Sequence, residues 1–160
     1  MTSVIDKKNL AQFLVKAKMV TYASGSQEYM VTSALAGSHQ LEYIEGNKLY
    51  RDIYFGGMHF IGMETVFWNE QPVWGMSYYG GTLPDSDEKH IAGMPPFLKA
   101  ALRDVPLDAP YRGPKSFRKG DYLYENQIHG DIISFHGTEI IRVQNQDIYC
   151  LWYSGGLVKN

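Results

Sequence analysis

The chain has 160 residues, 44% of them apolar and 14% aromatic, which is enough for one domain with a sizeable core. Fifteen Lys and Arg against seventeen Asp and Glu leave a net charge of −2, so the basic excess of a nucleic-acid surface is missing and no direct nucleic-acid binding is expected. The single cysteine, Cys150, excludes an internal disulfide, and with no CxxC or Cys/His cluster neither a metal site nor a cofactor is expected. The first residues lack the long apolar run of a signal peptide, and no stretch reaches the roughly 18 uninterrupted apolar residues of a membrane span. The expected setting is the reducing cytoplasm, away from membranes.

Asp6 is a plausible N-cap, and Leu10, Phe13, Leu14 and Ala17 follow at helical spacing as one apolar stripe. This first helix is expected to end near Tyr22 to Gly25. Ser24 to Gln40 is polar, with scattered Gly and Ser, and reads as a loop or weak strand, in effect a flap. From Leu41 the period changes to two. Strands are expected at Leu41–Glu45, Lys48–Phe55, His59–Trp68 and Pro72–Tyr79, separated by the turn-like Glu45-Gly46-Asn47, Gly56-Gly57 and Asn69-Glu70-Gln71. Residues 82–94 read as a linker. Pro95-Pro96 is expected to open a second helix, with Phe97, Leu98, Ala101, Leu102 and Val105 as its apolar stripe and Pro106 as its end. Pro110-Tyr111-Arg112-Gly113-Pro114 is a stiff turn segment. Three more strands are expected, at Asp121–His129, Asp131–Glu139 running on to Val143, and Asp147–Ser154, with Asn145 in the last hairpin turn.

Part of this pattern occurs twice. Gly62, Glu64, Val66, Trp74, Met76, Tyr78, Gly80 and Gly81 return 75 positions later as Gly137, Glu139, Ile141, Tyr149, Leu151, Tyr153, Gly155 and Gly156. Upstream, a shift of 74 aligns Gly46, Leu49, Tyr50, Asp52 and Gly56 with Gly120, Leu123, Tyr124, Asn126 and Gly130. One supersecondary unit used twice is the expected plan, and shared sites often form where two such units meet.

Strand alternation sorts the repeated residues onto one face. Tyr50, Asp52 and Tyr54 share it with Glu64 and Val66, and with Trp74, Met76 and Tyr78. The second unit contributes Tyr124 and Asn126, then Glu139 and Ile141, then Tyr149, Leu151 and Tyr153. Two readings of Glu64 and Glu139 compete. Each is a buried carboxylate tied to a Tyr hydroxyl or backbone N–H, keeping the sheet in register. Alternatively the two face one cleft and share a proton or act as acid and base. Asp52 could extend an acidic cluster with Glu64, but Asn126 at the matching position argues against a symmetric metal site. The aromatic set is either sheet core or a pocket that stacks a planar ligand, and the many tyrosine hydroxyls favour a wet cavity. Arg112, in its stiff loop, either forks an anionic ligand or neutralises Glu64, Glu139 or Asp131. The five histidines form no ligand or nucleophile motif, and no phosphate loop or nucleophile elbow is present.

Tyr50-Arg51-Asp52-Ile53-Tyr54-Phe55-Gly56-Gly57, Phe60-Ile61-Gly62-Met63-Glu64, Trp74-Gly75-Met76-Ser77-Tyr78-Tyr79-Gly80, Phe97-Leu98-Lys99-Ala100-Ala101-Leu102 and the Pro110–Pro114 segment resemble a bacterial domain of unknown function. That domain is often attached C-terminally to the helix-turn-helix of Xre-type transcriptional regulators. The resemblance spans the chain from about Leu10 onward and implies an effector-sensing or protein-contact role. It implies no activity and no catalytic residues. The residues before Leu10 leave no room for a helix-turn-helix, so any regulatory role is expected to run through a partner.

The expected fold is α+β: two related α-plus-antiparallel-β-meander units, about 6–81 and 95–156, joined by the 82–94 linker and forming one curved sheet packed with helices. The expected function is non-enzymatic binding of a small molecule between the units, at a site lined by Tyr54, Glu64, Trp74, Tyr78, Arg112, Glu139 and Tyr153. Two alternatives remain open. One is an enzyme with Glu64 and Glu139 as acid and base and Arg112 holding an anionic group. The other is a pure interaction or dimerisation module with a filled core. A homodimer is compatible with each.

Overall fold

The computed structural model describes residues 6–24 and 27–159. Among them are two helices, α1 (Lys7–Val20) and α2 (Glu88–Leu102). Nine strands follow in chain order: β1 (Met30–Val31), β2 (His39–Glu45), β3 (Lys48–Gly56), β4 (His59–Trp68), β5 (Gln71–Thr82), β6 (Ser116–Lys119), β7 (Tyr122–Asp131), β8 (Ser134–Val143) and β9 (Gln146–Leu157). They form one sheet in the order β1-β2-β3-β4-β5-β9-β8-β7-β6, with every neighbouring pair antiparallel. The class is α+β, and the sheet is a pair of meanders that meet at β5 and β9.

The Asp6 carboxylate caps α1 as expected, accepting from the Lys8 and Asn9 backbone N–H groups. Leu10, Phe13, Leu14 and Ala17 are all buried, and the helix stops at Val20, where Thr21 turns its N–H and hydroxyl onto the Ala17 carbonyl. Gly25, the far limit of the expected helix end, lies outside the described residues.

The start of α2 differs from the sequence reading. Pro95 and Pro96 do not open the helix but lie inside it, and it begins seven residues earlier at Glu88. The physical reason is local: the Asp87 side chain accepts from the Lys89 N–H at 2.8 Å, and Glu88 sits in the first turn, where the helix dipole favours an acid. The acidic stretch read as linker is therefore in part a helix start, and the connection from β5 narrows to residues 83–87. Two short strands lie at the sheet edges. β1 falls in the segment expected as a loop or weak strand, and β6, absent from the sequence reading, pairs Phe117 with Tyr124 at the opposite edge.

One face of the sheet is covered and the other is open. The covered face presents Tyr50, Val66, Trp74, Met76, Tyr124, Ile141, Tyr149 and Leu151, each at most 1% exposed. Phe13 of α1 packs on Tyr43, and Phe97 of α2 packs on Phe117 and Tyr122, so each helix lies over one end of the sheet. The open face carries a lateral row in register: Ile61 pairs with Tyr79, which pairs with Trp152, and all three are more than half exposed. Among the described residues no helix is long and apolar enough to cross a membrane.

The two meanders match in detail. Each has a β-bulge at corresponding places, at Val66/Phe67 and at Ile141/Arg142. Each turns a hairpin on two residues with positive φ, Asn69 and Glu70 (50° and 64°) in one and Gln144 and Asn145 (50° and 69°) in the other. At the seam Tyr78 of β5 stands directly opposite Tyr153 of β9. Each of these tyrosines also lies across from a glycine on its outer neighbour, Gly62 and Gly137, and its ring occupies the space where a glycine side chain would start.

Candidate functional site

The covered face is not uniformly filled. A cavity of about 260 Å³ opens over the β3–β5 half. Its floor comes from strand alternation: Tyr50, Asp52 and Tyr54 project from β3 at every second position, and the register places Glu64 of β4 opposite Asp52. Tyr78 of β5 closes one side, and its hydroxyl donates to Asp52 Oδ1 at 2.7 Å. Lys18, Tyr22 and Ala23 enter from the end of α1, and Lys99, Leu102 and Val105 from α2 and the turn after it. The Arg103 guanidinium ties these two sides together by donating to the Ala23 carbonyl at 2.9 Å. Tyr111 and Arg112 complete the wall, with the guanidinium 5.7 Å from the centre of the Tyr78 ring.

Two buried ion pairs flank this space. Lys18 donates to Glu64 and, at 2.8 Å, to the Tyr111 carbonyl. Arg112 forks Glu139 through Nε at 3.1 Å and Nη2 at 2.5 Å, and the same carboxylate accepts from Tyr124 at 2.7 Å and Tyr149 at 2.8 Å. Glu139 is fully enclosed and does not border the cavity.

The environment moves several protonation equilibria. Burial, with the Glu64 charge adding to it, lifts the Asp52 carboxyl to about 7, against the opposing pull of the Tyr78 hydrogen bond, Lys18 and Arg112. Burial lowers the Lys18 ammonium despite the attraction of Glu64. It works against the Arg112 guanidinium too, but there Glu139, Tyr149 and Tyr124 outweigh it and hold the group above its ordinary value. Burial raises the Tyr22 phenol to about 12. The site therefore combines two buried Lys/Arg–Glu contacts, phenols held above their ordinary range and one acid lifted to about 7.

The matching place in the other meander is plugged. Asn126 stands where Asp52 stands; its amide donates to the Gly113 carbonyl at 3.0 Å and accepts from Tyr153 at 2.8 Å. The Gly113 N–H donates to the Tyr124 hydroxyl at 3.0 Å. The stiff Arg112-Gly113 loop thus fills on one side the room that stays open on the other.

Of the residues expected at a site, Tyr54, Glu64, Tyr78 and Arg112 border the cavity. Trp74 and Tyr153 are core side chains, and Glu139 is closed into its ion pair, so the structure does not bring the two glutamates to one cleft. Arg112 pairs with Glu139 rather than with Glu64 or Asp131. The sequence reading passed over Lys18 and Tyr22. The signal for Lys18 was its place four residues after Leu14, a charged residue on an apolar helix stripe. Among the described residues no three His, Cys, Asp or Glu side chains are grouped to hold a metal ion.

A family model described as a domain of unknown function (DUF5680) matches residues 52–158, and the chain belongs to that family. No curated protein and no solved structure matches it.

Proposed function

We propose that this chain is a small-molecule-binding domain of sensor type, with its site in the cavity between α1, α2 and the β3–β5 meander. The observation that carries the reading is an aromatic cavity holding a buried acid, beside a twin position that is plugged. A fold that can close this space with an Asn and a glycine loop on one side, yet keeps an Asp and an opening on the other, supports a ligand there. The same reasoning treats the two meanders as a duplicated unit, in which one copy supplies scaffold and the other the site. The contact of both helices with the cavity supports a signalling use: occupancy would fix α1 and α2 relative to the sheet. Regulation through a fused or separate DNA-reading partner belongs to the same proposal.

Binding rather than catalysis is favoured by the closure of both ion pairs. Glu139 spends both carboxylate oxygens on Arg112 and two tyrosines, away from the cavity, and Glu64 is tied to Lys18, so the paired acid and base that catalysis would need is not assembled. The test is a thermal-shift screen of the purified protein against nucleobases, nucleosides, amino acids, sugars and aromatic amines, repeated with Val105→Trp, which fills the cavity from its rim. A native-state ligand at a hundredfold excess over its Kd stabilises by about 2.7 kcal/mol. Hits that disappear in the filled variant support the cavity as the site. Hits that persist place binding elsewhere, and a flat screen across all classes favours an interaction module.

A further inference from the structure

The buried charges around the cavity do not balance. Lys18 is matched by Glu64 and Arg112 by Glu139, all four at most 7% exposed. Asp52, 3% exposed, is the fifth member and has no cation of its own. One carboxylate oxygen, Oδ1, accepts from Tyr78; no protein donor to Oδ2 is found among the described residues, and Oδ2 is not among the fully buried unpaired atoms, so it keeps access to the cavity. Asn126 shows what the fold does when no charge is wanted at this position: both ends of its amide are bonded. An uncompensated, half-bonded acid at the floor of a cavity marks the place where a ligand supplies the missing donor and the missing positive charge. Around it stand Tyr50, Tyr54, Phe60 and Tyr78, an aromatic lining that suits a flat ring.

We infer that the ligand is a small aromatic or heterocyclic monocation, a ring bearing an ammonium or amidinium group, held by a charge-assisted hydrogen bond to Asp52. The inference rests on the binding reading of the cavity and narrows it to one chemical class. The cavity volume of about 260 Å³ lies near the low end of ligand pockets, which suits a molecule of one ring.

The other groups sharing the cavity decide the pH response. From α1 come Lys18 and Tyr22, from β3 Tyr50 and Tyr54, and from β4 Glu64. Tyr78 faces in from β5 and Tyr111 and Arg112 from the loop after α2, while His39 and Lys99 are more exposed. Burial raises the phenols above their ordinary range and lowers the Lys18 ammonium, which Glu64 opposes, so Asp52 is the carboxyl that changes charge near neutrality. A cation that needs the ionised form binds more tightly as pH rises through about 7.

Three probes of one shape separate the classes: benzamidine as the cation, benzamide as the neutral isostere and benzoate as the anion. Calorimetric titration of the wild-type protein at pH 6 and pH 8 is expected to show benzamidine binding best, with roughly tenfold tighter binding at pH 8, the ratio of ionised fractions for a group near 7. Asp52→Asn, its fold checked by circular dichroism, is expected to abolish both the preference for the cation and the pH dependence while leaving weak benzamide binding. Benzamide or benzoate binding best, or a cation affinity that does not rise with pH, overturns the inference yet leaves the cavity as a binding site. Failure of all three at millimolar concentration overturns both the inference and the cavity reading for single-ring ligands.

Discussion

Replacing Asp52 by asparagine is the sharpest probe of the buried cluster in the absence of any ligand. The ordinary carboxyl value is 3.8 and the folded one is about 7. An acid whose folded pKa lies above its unfolded pKa holds its proton more tightly in the native state. Its contribution to stability is complete below about pH 4 and is lost as pH rises through about 7. A gap of about three units corresponds to about 4 kcal/mol at 1.36 kcal/mol per unit. Glu64 and Asp52 influence each other, so part of that loss is shared, and a net effect of about 2–4 kcal/mol is expected. The Asp52→Asn variant has no charge to expose, and at the matching position on β7 Asn126 already accepts from the neighbouring Tyr153 as Asp52 does from Tyr78. Urea unfolding of both proteins at pH 4.5, 6, 7 and 8 reads the difference directly. The two should be closest at pH 4.5, with the variant gaining steadily to be the more stable by about 2–4 kcal/mol at pH 8. A stability difference that stays constant over this range would refute the argument, because it would mean that Asp52 titrates alike in the folded and unfolded chain.

Other outcomes follow from the same contacts. Arg112→Ala strands the fully buried Glu139 without its cation and should cost about 3–5 kcal/mol in urea unfolding, and Arg112→Lys should recover only part because it cannot fork both carboxylate oxygens. Gly62→Ala and Gly137→Ala each push a methyl into the ring of the facing tyrosine, Tyr78 or Tyr153; both should lower stability by about 1–3 kcal/mol, measured by thermal melting, and by similar amounts. Asp87→Ala removes the cap of α2 and should cost about 1 kcal/mol, whereas the sequence-based helix start at Pro95 would have made it neutral. Burial raises the Cys150 thiol, so its alkylation by iodoacetamide at pH 7 should be slower than that of a free peptide cysteine and should speed up on unfolding.

The strands were readable because each carries a period-two pattern that matches its burial, as in Trp74, Met76 and Tyr78 of β5. The repeated face could be assembled for the same reason. What alternation does not encode is which way that face points, and here it points under the helices. Pro95-Pro96 misled because proline is a stronger local signal than a single aspartate, yet the Asp87 cap set the helix start. Of the short edge strands, β1 falls where a loop or weak strand is expected and β6 is not expected at all, since two or four residues hold too little periodicity to register. The cavity was half legible. Tyr54, Glu64 and Tyr78 followed from strand faces, but Lys18, Tyr22 and Lys99 reach it from other elements, and no spacing along the chain links them to β3. The pairing of Arg112 with Glu139 was one of several open choices, settled only by how the 110–114 loop folds against β7.

The position of β9 has a consequence for how the molecule is made. It is the last of the described strands along the sequence, yet it lies in the middle of the sheet, clasped between β5 and β8. Until residue 157 has left the ribosome, the nascent protein holds two partial sheets, each with a bare edge where β9 will sit. Such edges recruit stray strands, so the interval before closure is the period of greatest exposure to aggregation and to chaperones. The final step joins segments far apart in sequence, as at Tyr78 and Tyr153, and long-range closure of this kind makes for slow folding. A ribosome stall after Val143 would therefore leave out not a dispensable fringe but the strand that turns two half-sheets into one.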